Sequence, residues 1–142
     1  MAALRDWPTV NHTIRVPIHT DKDIVAARQK GRTLALSLGF SEIDSTLVAT
    51  AISELARNIV TYAKRGEIQI QADGNSKGPC IVVIAKDKGA GISNIKLALQ
   101  DGFSTSGSLG LGLPGVKRLV DEFEIVSNVG KGTIVKFKKW KV

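Results

Sequence analysis

The stretch S-E-L-A-R-N, Ser53 to Asn58, lies inside the clearest amphipathic segment of the chain. Around it Val48, Ala51, Ile52, Leu55, Ile59 and Tyr62 recur at helical spacing. This predicts a helix from about Ser45 to Ala63 with one apolar face. Glu54 and Asn58 stand four residues apart, so they project from the same side, at the border of the apolar stripe. A carboxylate and an amide held together at the edge of a core are able to orient a hydroxyl group or coordinate Mg²⁺ through hard oxygen ligands. The same pair is common on any exposed helix, so its meaning depends on its surroundings.

Working towards the N-terminus, Thr13 to Ile18 alternates with Ile14, Val16 and Ile18 on one side. This reads as a half-buried strand, and Pro17, which has no N–H to donate, places it at a sheet edge. Thr20 and Asp23 then resemble a capping box opening a helix that carries Ile24, Ala27, Gly31, Leu34, Ala35 and Leu38 and stops at Gly39. Working towards the C-terminus, Glu67 to Ala72 alternates, whereas Cys80 to Lys86 is nearly continuous in apolar residues and reads as a central strand. The turn-forming run Asp73 to Pro79 joins the two as a hairpin. A short helix is expected from Ser93 to Gln100, then a segment rich in Gly, Ser, Thr and Leu, then a helix from Pro114 to about Asp121. Phe123 to Ser127 and Thr133 to Lys139 close the chain as a hairpin turned through Gly130, Lys131 and Gly132. This order predicts an α/β (α+β) two-layer sandwich, a mainly antiparallel mixed sheet with helices on one face. A short tail, residues 1–12, precedes a single domain spanning 13–142.

Composition narrows the function classes. The chain is 43% hydrophobic and 23% charged, which is globular, and carries a formal charge of +7. The densest basic cluster, Lys136, Lys138, Lys139 and Lys141, alternates with Val135 and Phe137 and reads as the wet face of a strand. There is no zinc-finger spacing and no aromatic ribonucleoprotein-type motif, so no nucleic-acid partner is expected. The longest apolar run, Cys80 to Ala85, is far short of the ~20 residues that span a bilayer. Arg5, Asp6 and Pro8 stand where a secretory signal would be apolar, and Cys80 is the only cysteine. A cytoplasmic protein without a membrane partner is therefore expected.

Asp87 follows the central strand and begins D-K-G-A-G. A carboxylate thus sits at a strand end, with Gly89 and Gly91 allowing a ligand close to the backbone. Such a carboxylate accepts a hydrogen bond from an exocyclic amino group, a means of choosing adenine over guanine. A third element, F-S-T-S-G-S-L-G-L-G-L-P-G, runs from Phe103 to Gly115 and precedes a helix. Free N–H groups at the helix start, hydroxyls of Ser104, Thr105 and Ser106, and glycines at 107, 110 and 112 suit phosphate oxygens and a closing loop. Gly110, Gly112 and Gly115 also match the dinucleotide pattern G-x-G-x-x-G, but that pattern belongs just after a strand in a βαβ unit, and here it follows a long polar loop. Eukaryotic-type kinase signatures H-R-D and D-F-G are absent.

Taken together, E-L-A-R-N at 54–58, D-K-G-A-G at 87–91, G-L-G-L-P-G at 110–115 and G-K-G-T at 130–133 resemble the N, G1 and G2 boxes and terminal threonine of the GHKL (Bergerat-fold) ATPases. S-E-L-A-R-N and T-S-G-S-L-G-L-G-L-P-G-V-K-R-L look more narrowly like the RsbT-type serine/threonine switch kinases of the bacterial stressosome. The resemblance implies ATP and Mg²⁺ as ligands, with Asn58 holding the metal, Glu54 orienting or deprotonating the acceptor hydroxyl, and Asp87 reading adenine with help from Thr133. It implies that Gly89 and Gly91 shape the base pocket, while Ser104, Thr105, Ser106, Gly107, Gly110 and Gly112 cover the phosphates. Implied substrates are STAS-domain proteins, RsbS-like and RsbR-like, with a downstream regulator such as an RsbU-type phosphatase; the alternative is an anti-sigma factor of the same kinase fold. Many GHKL kinases carry a histidine shortly after the N-box asparagine, whereas this helix ends Thr61-Tyr62-Ala63. With no dimerisation helix carrying a phosphoacceptor, this argues against a histidine autokinase.

Overall fold

The computed structural model describes residues 13–89, 91 and 112–142. Five strands are described: β1 (Ile14–Ile18), β2 (Gly66–Asn75), β3 (Gly78–Asp87), β4 (Glu122–Asn128) and β5 (Gly132–Trp140). They form one sheet in the order β1-β2-β3-β5-β4. Three helices are described: α1 (Asp21–Ser37), α2 (Glu42–Asn58) and α3 (Gly112–Leu119). The expected helix at 93–100 and the tail at 1–12 lie outside the described residues.

Every described pairing is antiparallel, in line with the expected mainly antiparallel sheet. Hairpins join β2 to β3 and β4 to β5, and an antiparallel partner follows naturally from such tight connections. Pro17 lies on the edge strand as expected, paired only on the β2 side. The continuously apolar β3 is the middle strand.

Helix α1 opens on the expected box, with Asp23 accepting from the backbone N–H groups of Thr20 and His19 at 2.9 and 2.8 Å. Those two bonds, Thr20 first, hold the Asp23 carboxyl below its ordinary pKa. Helix α2 begins at Glu42, three residues earlier than the apolar periodicity indicates, because Ser41 Oγ caps it by accepting from Asp44 N at 3.0 Å.

The core lies between the helices and one face of the sheet. Ile24, Ala27 and Ala35 of α1 and Val48, Ile52 and Leu55 of α2 pack with Ile68, Ile70, Ile81, Val83 and Phe137. Each fully buried Ile or Leu contributes about 1.5–3 kcal/mol. Gly31 lets α1 and α2 cross closely, since a Cβ there would come within 2.2 Å of Ile52 Cδ1. Cys80 is buried, and burial is the first cause that pushes its thiol up to about 11, which leaves it an unreactive packing residue at neutral pH.

Candidate functional site

Helix α2 ends at Asn58, and the chain continues through Ile59–Ala63 as one turn of π-helix. The wider turn closes with Lys64 N donating to Ile59 O at 2.8 Å, and Lys64 takes the unusual φ of +73°. The Lys64 carbonyl lies 2.9 Å from the His19 ring at Nδ1. The inserted turn rotates the end of the helix out of the α-helical register. Tyr62, expected on the apolar stripe, is instead 54% exposed; Ile59 remains in the core.

Glu54 is only 4% exposed, and its Oε2 is buried without a hydrogen-bond partner among the described residues. Asn58, one turn later, is half-buried. A buried carboxylate oxygen left without a donor costs stability. Such groups are retained where chemistry requires them, so Glu54 stands out from an ordinary helix residue.

Of the D-K-G-A-G segment, Gly89 lies against this π-turn and Gly91 against the β4–β5 hairpin. Asp87 Oδ1 accepts from Gly89 N at 2.8 Å, a side chain closing a turn on its own backbone. A Cβ at Gly89 would sit 2.8 Å from Ala63 Cβ, so the segment lies directly against the end of the π-turn. On the other side, Gly91 has φ +82°, and a Cβ there would come within 2.4 Å of the Asn128 carbonyl oxygen. Only glycine satisfies both the dihedral and the space.

Thr133 is buried and pairs in register with Asp87 across β3 and β5. Its Oγ1 lies 2.7 Å from Ser127 Oγ, and Ser127 also donates to the Gly132 carbonyl at 3.2 Å. The sequence reading had no role for Ser127, although its signal was present: a hairpin turned through 130–132 sets Ser127 opposite Thr133, as observed. It also gave no separate role to Gly132, where φ is +115° and a Cβ would lie 2.1 Å from the Asp87 carbonyl oxygen. Gly132→Ala is accordingly expected to destabilise the fold by about 3 kcal/mol through strain and overlap, measured by chemical denaturation; a loss below about 1 kcal/mol would contradict this close approach.

Asp87, Gly89, Gly91 and Thr133 are thus brought together at one end of the sheet. Glu54 and Asn58 lie on the helix whose π-turn contacts Gly89. Gly112, at φ +51°, begins α3, in which Leu113 and Val116 join the core and Pro114 and Gly115 are buried beside them. Ser104, Thr105, Ser106, Gly107 and Gly110 lie outside the described residues.

For Mg²⁺, the donor set fits the ion. Asn58 offers a hard oxygen and Glu54 an unpaired one a turn away. Magnesium commonly takes one or two protein oxygens and completes its shell with phosphate and water.

A helix-backed antiparallel sheet with a glycine-lined carboxylate at one end defines a nucleotide-binding class of protein. Residues 43–142 match the family described as histidine kinase-, DNA gyrase B-, and HSP90-like ATPase, and the chain belongs to it. It is similar to the serine/threonine-protein kinase RsbT of Bacillus subtilis, with 54% identity over 88% of this chain and 94% of that protein. It also resembles an anti-sigma F factor of Clostridium kluyveri, with 32% identity over 70% of this chain and 76% of that one. Among solved structures, a mycobacterial sensor histidine kinase, MprB, superposes with a TM-score of 0.54 at 14% identity, covering 90% of this chain and 98% of that one. That likeness speaks to the fold alone.

Proposed function

We propose that this chain is an ATP-dependent serine/threonine-protein kinase of the switch type, which phosphorylates STAS-domain partners in the cytoplasm and thereby changes its own association with them. The observation that carries this reading is the Oε2 of Glu54, buried and without a partner among the described residues, one turn before Asn58. A module that used ATP only to set its conformation would have no use for a free buried carboxylate there. The domain spanning 13–142 supplies the whole nucleotide site.

In this reading Asp87 accepts from the adenine amino group through the oxygen not engaged by Gly89, and Thr133 and Ser127 hold a hydroxyl pair beside it. Asn58 would hold Mg²⁺, which neutralises charge on the phosphates when bound. The loop from Ser104 to Gly110, with Gly112, covers the phosphates. The acceptor Oγ attacks the γ-phosphorus and forms a P–O bond; the bond to the β–γ bridging oxygen breaks and its electron pair leaves on ADP. Glu54 takes the hydroxyl proton. Phosphoryl transfer depends chiefly on positioning and charge stabilisation, so few further groups are needed.

The test is to incubate the protein with Mg-ATP and RsbS-like and RsbR-like STAS proteins and to look for a phosphate mass shift on Ser or Thr. Asn58→Ala is expected to reduce that labelling by roughly two orders of magnitude or more, with the thermal melting curve retained. Undiminished labelling would refute the assignment. The likeness to anti-sigma F factors supports a second reading, in which the kinase sequesters a sigma factor. A stable complex with a sigma factor that a STAS protein dissolves would favour it; release instead of an RsbU-type phosphatase favours the first.

A further inference from the structure

On the sheet face opposite the helices, a groove of about 600 Å³ crosses the ends of β2, β3, β5 and β4. Among its lining residues Lys86 pairs with Ile134, and Ile134 with Val126. Both apolar side chains are open to solvent, Val126 at 58% and Ile134 at 44%. Arg65, Lys86, Lys88 and Lys131 border the same groove and are exposed. None of these four cations forms an ion pair among the described residues. Glu67, half-buried, also lines the groove, and its Oε1 accepts from Arg15 at 3.1 Å and from Gln69 at 2.6 Å. The Asp87 carboxylate is turned to Gly89 N.

We propose that this groove docks an extended, acidic segment of a partner protein in which acidic and apolar residues alternate. Alternation follows from the site: the cations that line it call for carboxylates, and Val126 and Ile134, next to Lys86 in the sheet register, call for apolar side chains between them. Nucleic acid fits less well, because no aromatic side chain borders the groove to stack on a base. An anionic membrane fits less well too, because among the described residues Val126 and Ile134 are the only large apolar side chains lining the groove, too few to enter a bilayer surface. The docking surface goes beyond the kinase reading: it adjoins the nucleotide site through Asp87 and Thr133, but Glu54 and Asn58 do not border it, and its test varies only Lys86, Lys131 and Ile134.

The test is to titrate the ¹⁵N-labelled full chain with a short peptide alternating Glu and Val, and separately with its Lys–Val counterpart, single-stranded RNA and phosphatidylglycerol vesicles. The Glu–Val peptide should shift the amides of Lys86, Val126, Lys131 and Ile134, and its affinity should fall with salt. K86E/K131E should weaken it by roughly ten-fold or more, and Ile134→Ser should weaken it separately, with ATP affinity unchanged in both. K86Q/K131Q gives the same reading with less perturbation should the charge reversal disturb folding. Failure of the peptide to bind, shifts confined elsewhere, binding that survives these substitutions, or tighter binding of RNA or vesicles would each overturn the docking site.

Discussion

Asp87→Asn is expected to weaken ATP binding by about two orders of magnitude with little change in stability. The expectation comes from counting acceptors. One carboxylate oxygen is already taken by Gly89 N at 2.8 Å, and in the proposed pocket the other receives the adenine amino group. Asparagine has a single acceptor oxygen, so it serves the turn or the base but not both, and its amide nitrogen then faces another donor. A hydrogen bond to a charged group contributes about 1.5–3 kcal/mol, and each 1.4 kcal/mol is ten-fold in affinity. Calorimetric titration with ATP and with GTP checks this directly: ATP affinity should collapse and the preference over GTP should narrow. An affinity within about three-fold of the parent would show that Asp87 only closes its turn.

The layers of the fold were legible because its apolar periodicities are unambiguous. The continuously apolar run at Cys80 to Lys86 is the middle strand, and Pro17 lies on the edge. What periodicity does not carry is the end of α2. Tyr62 continues the apolar spacing that Ile59 belongs to, yet the inserted π-turn carries it outwards while Ile59 stays buried. A one-residue change in hydrogen-bond register leaves no mark in side-chain pattern. For the same reason the contact of Gly89 with Ala63 could not be anticipated from either segment. Ser127 is different: its place opposite Thr133 follows from the length of the hairpin turn, and reading register as well as strands would have found it. The basic groove was hidden because its cations come from β3, from the chain before β2 and from the last hairpin turn, and only the sheet order brings them together.

Glu54→Gln is expected to lower kcat by roughly 10²- to 10⁴-fold, to leave ATP affinity nearly unchanged, and to keep or raise stability. The three readouts distinguish a base from a structural carboxylate. Removing one member of a buried, well-paired ion pair costs about 3–5 kcal/mol. Here Oε2 has no partner to lose among the described residues, and a buried amide is less costly than a buried carboxylate, so the variant should be as stable as the parent or more so by about 1 kcal/mol. Because the proton moves only as the acceptor oxygen attacks phosphorus, the loss falls on the chemical step and not on nucleotide binding. Single-turnover phosphorylation of a STAS partner, calorimetry with ATP and denaturant unfolding measure the three quantities. A marked loss of stability would mean that the carboxylate holds the helix in place. A loss of rate explained wholly by ATP affinity would move Glu54 from the proton to the metal, beside Asn58.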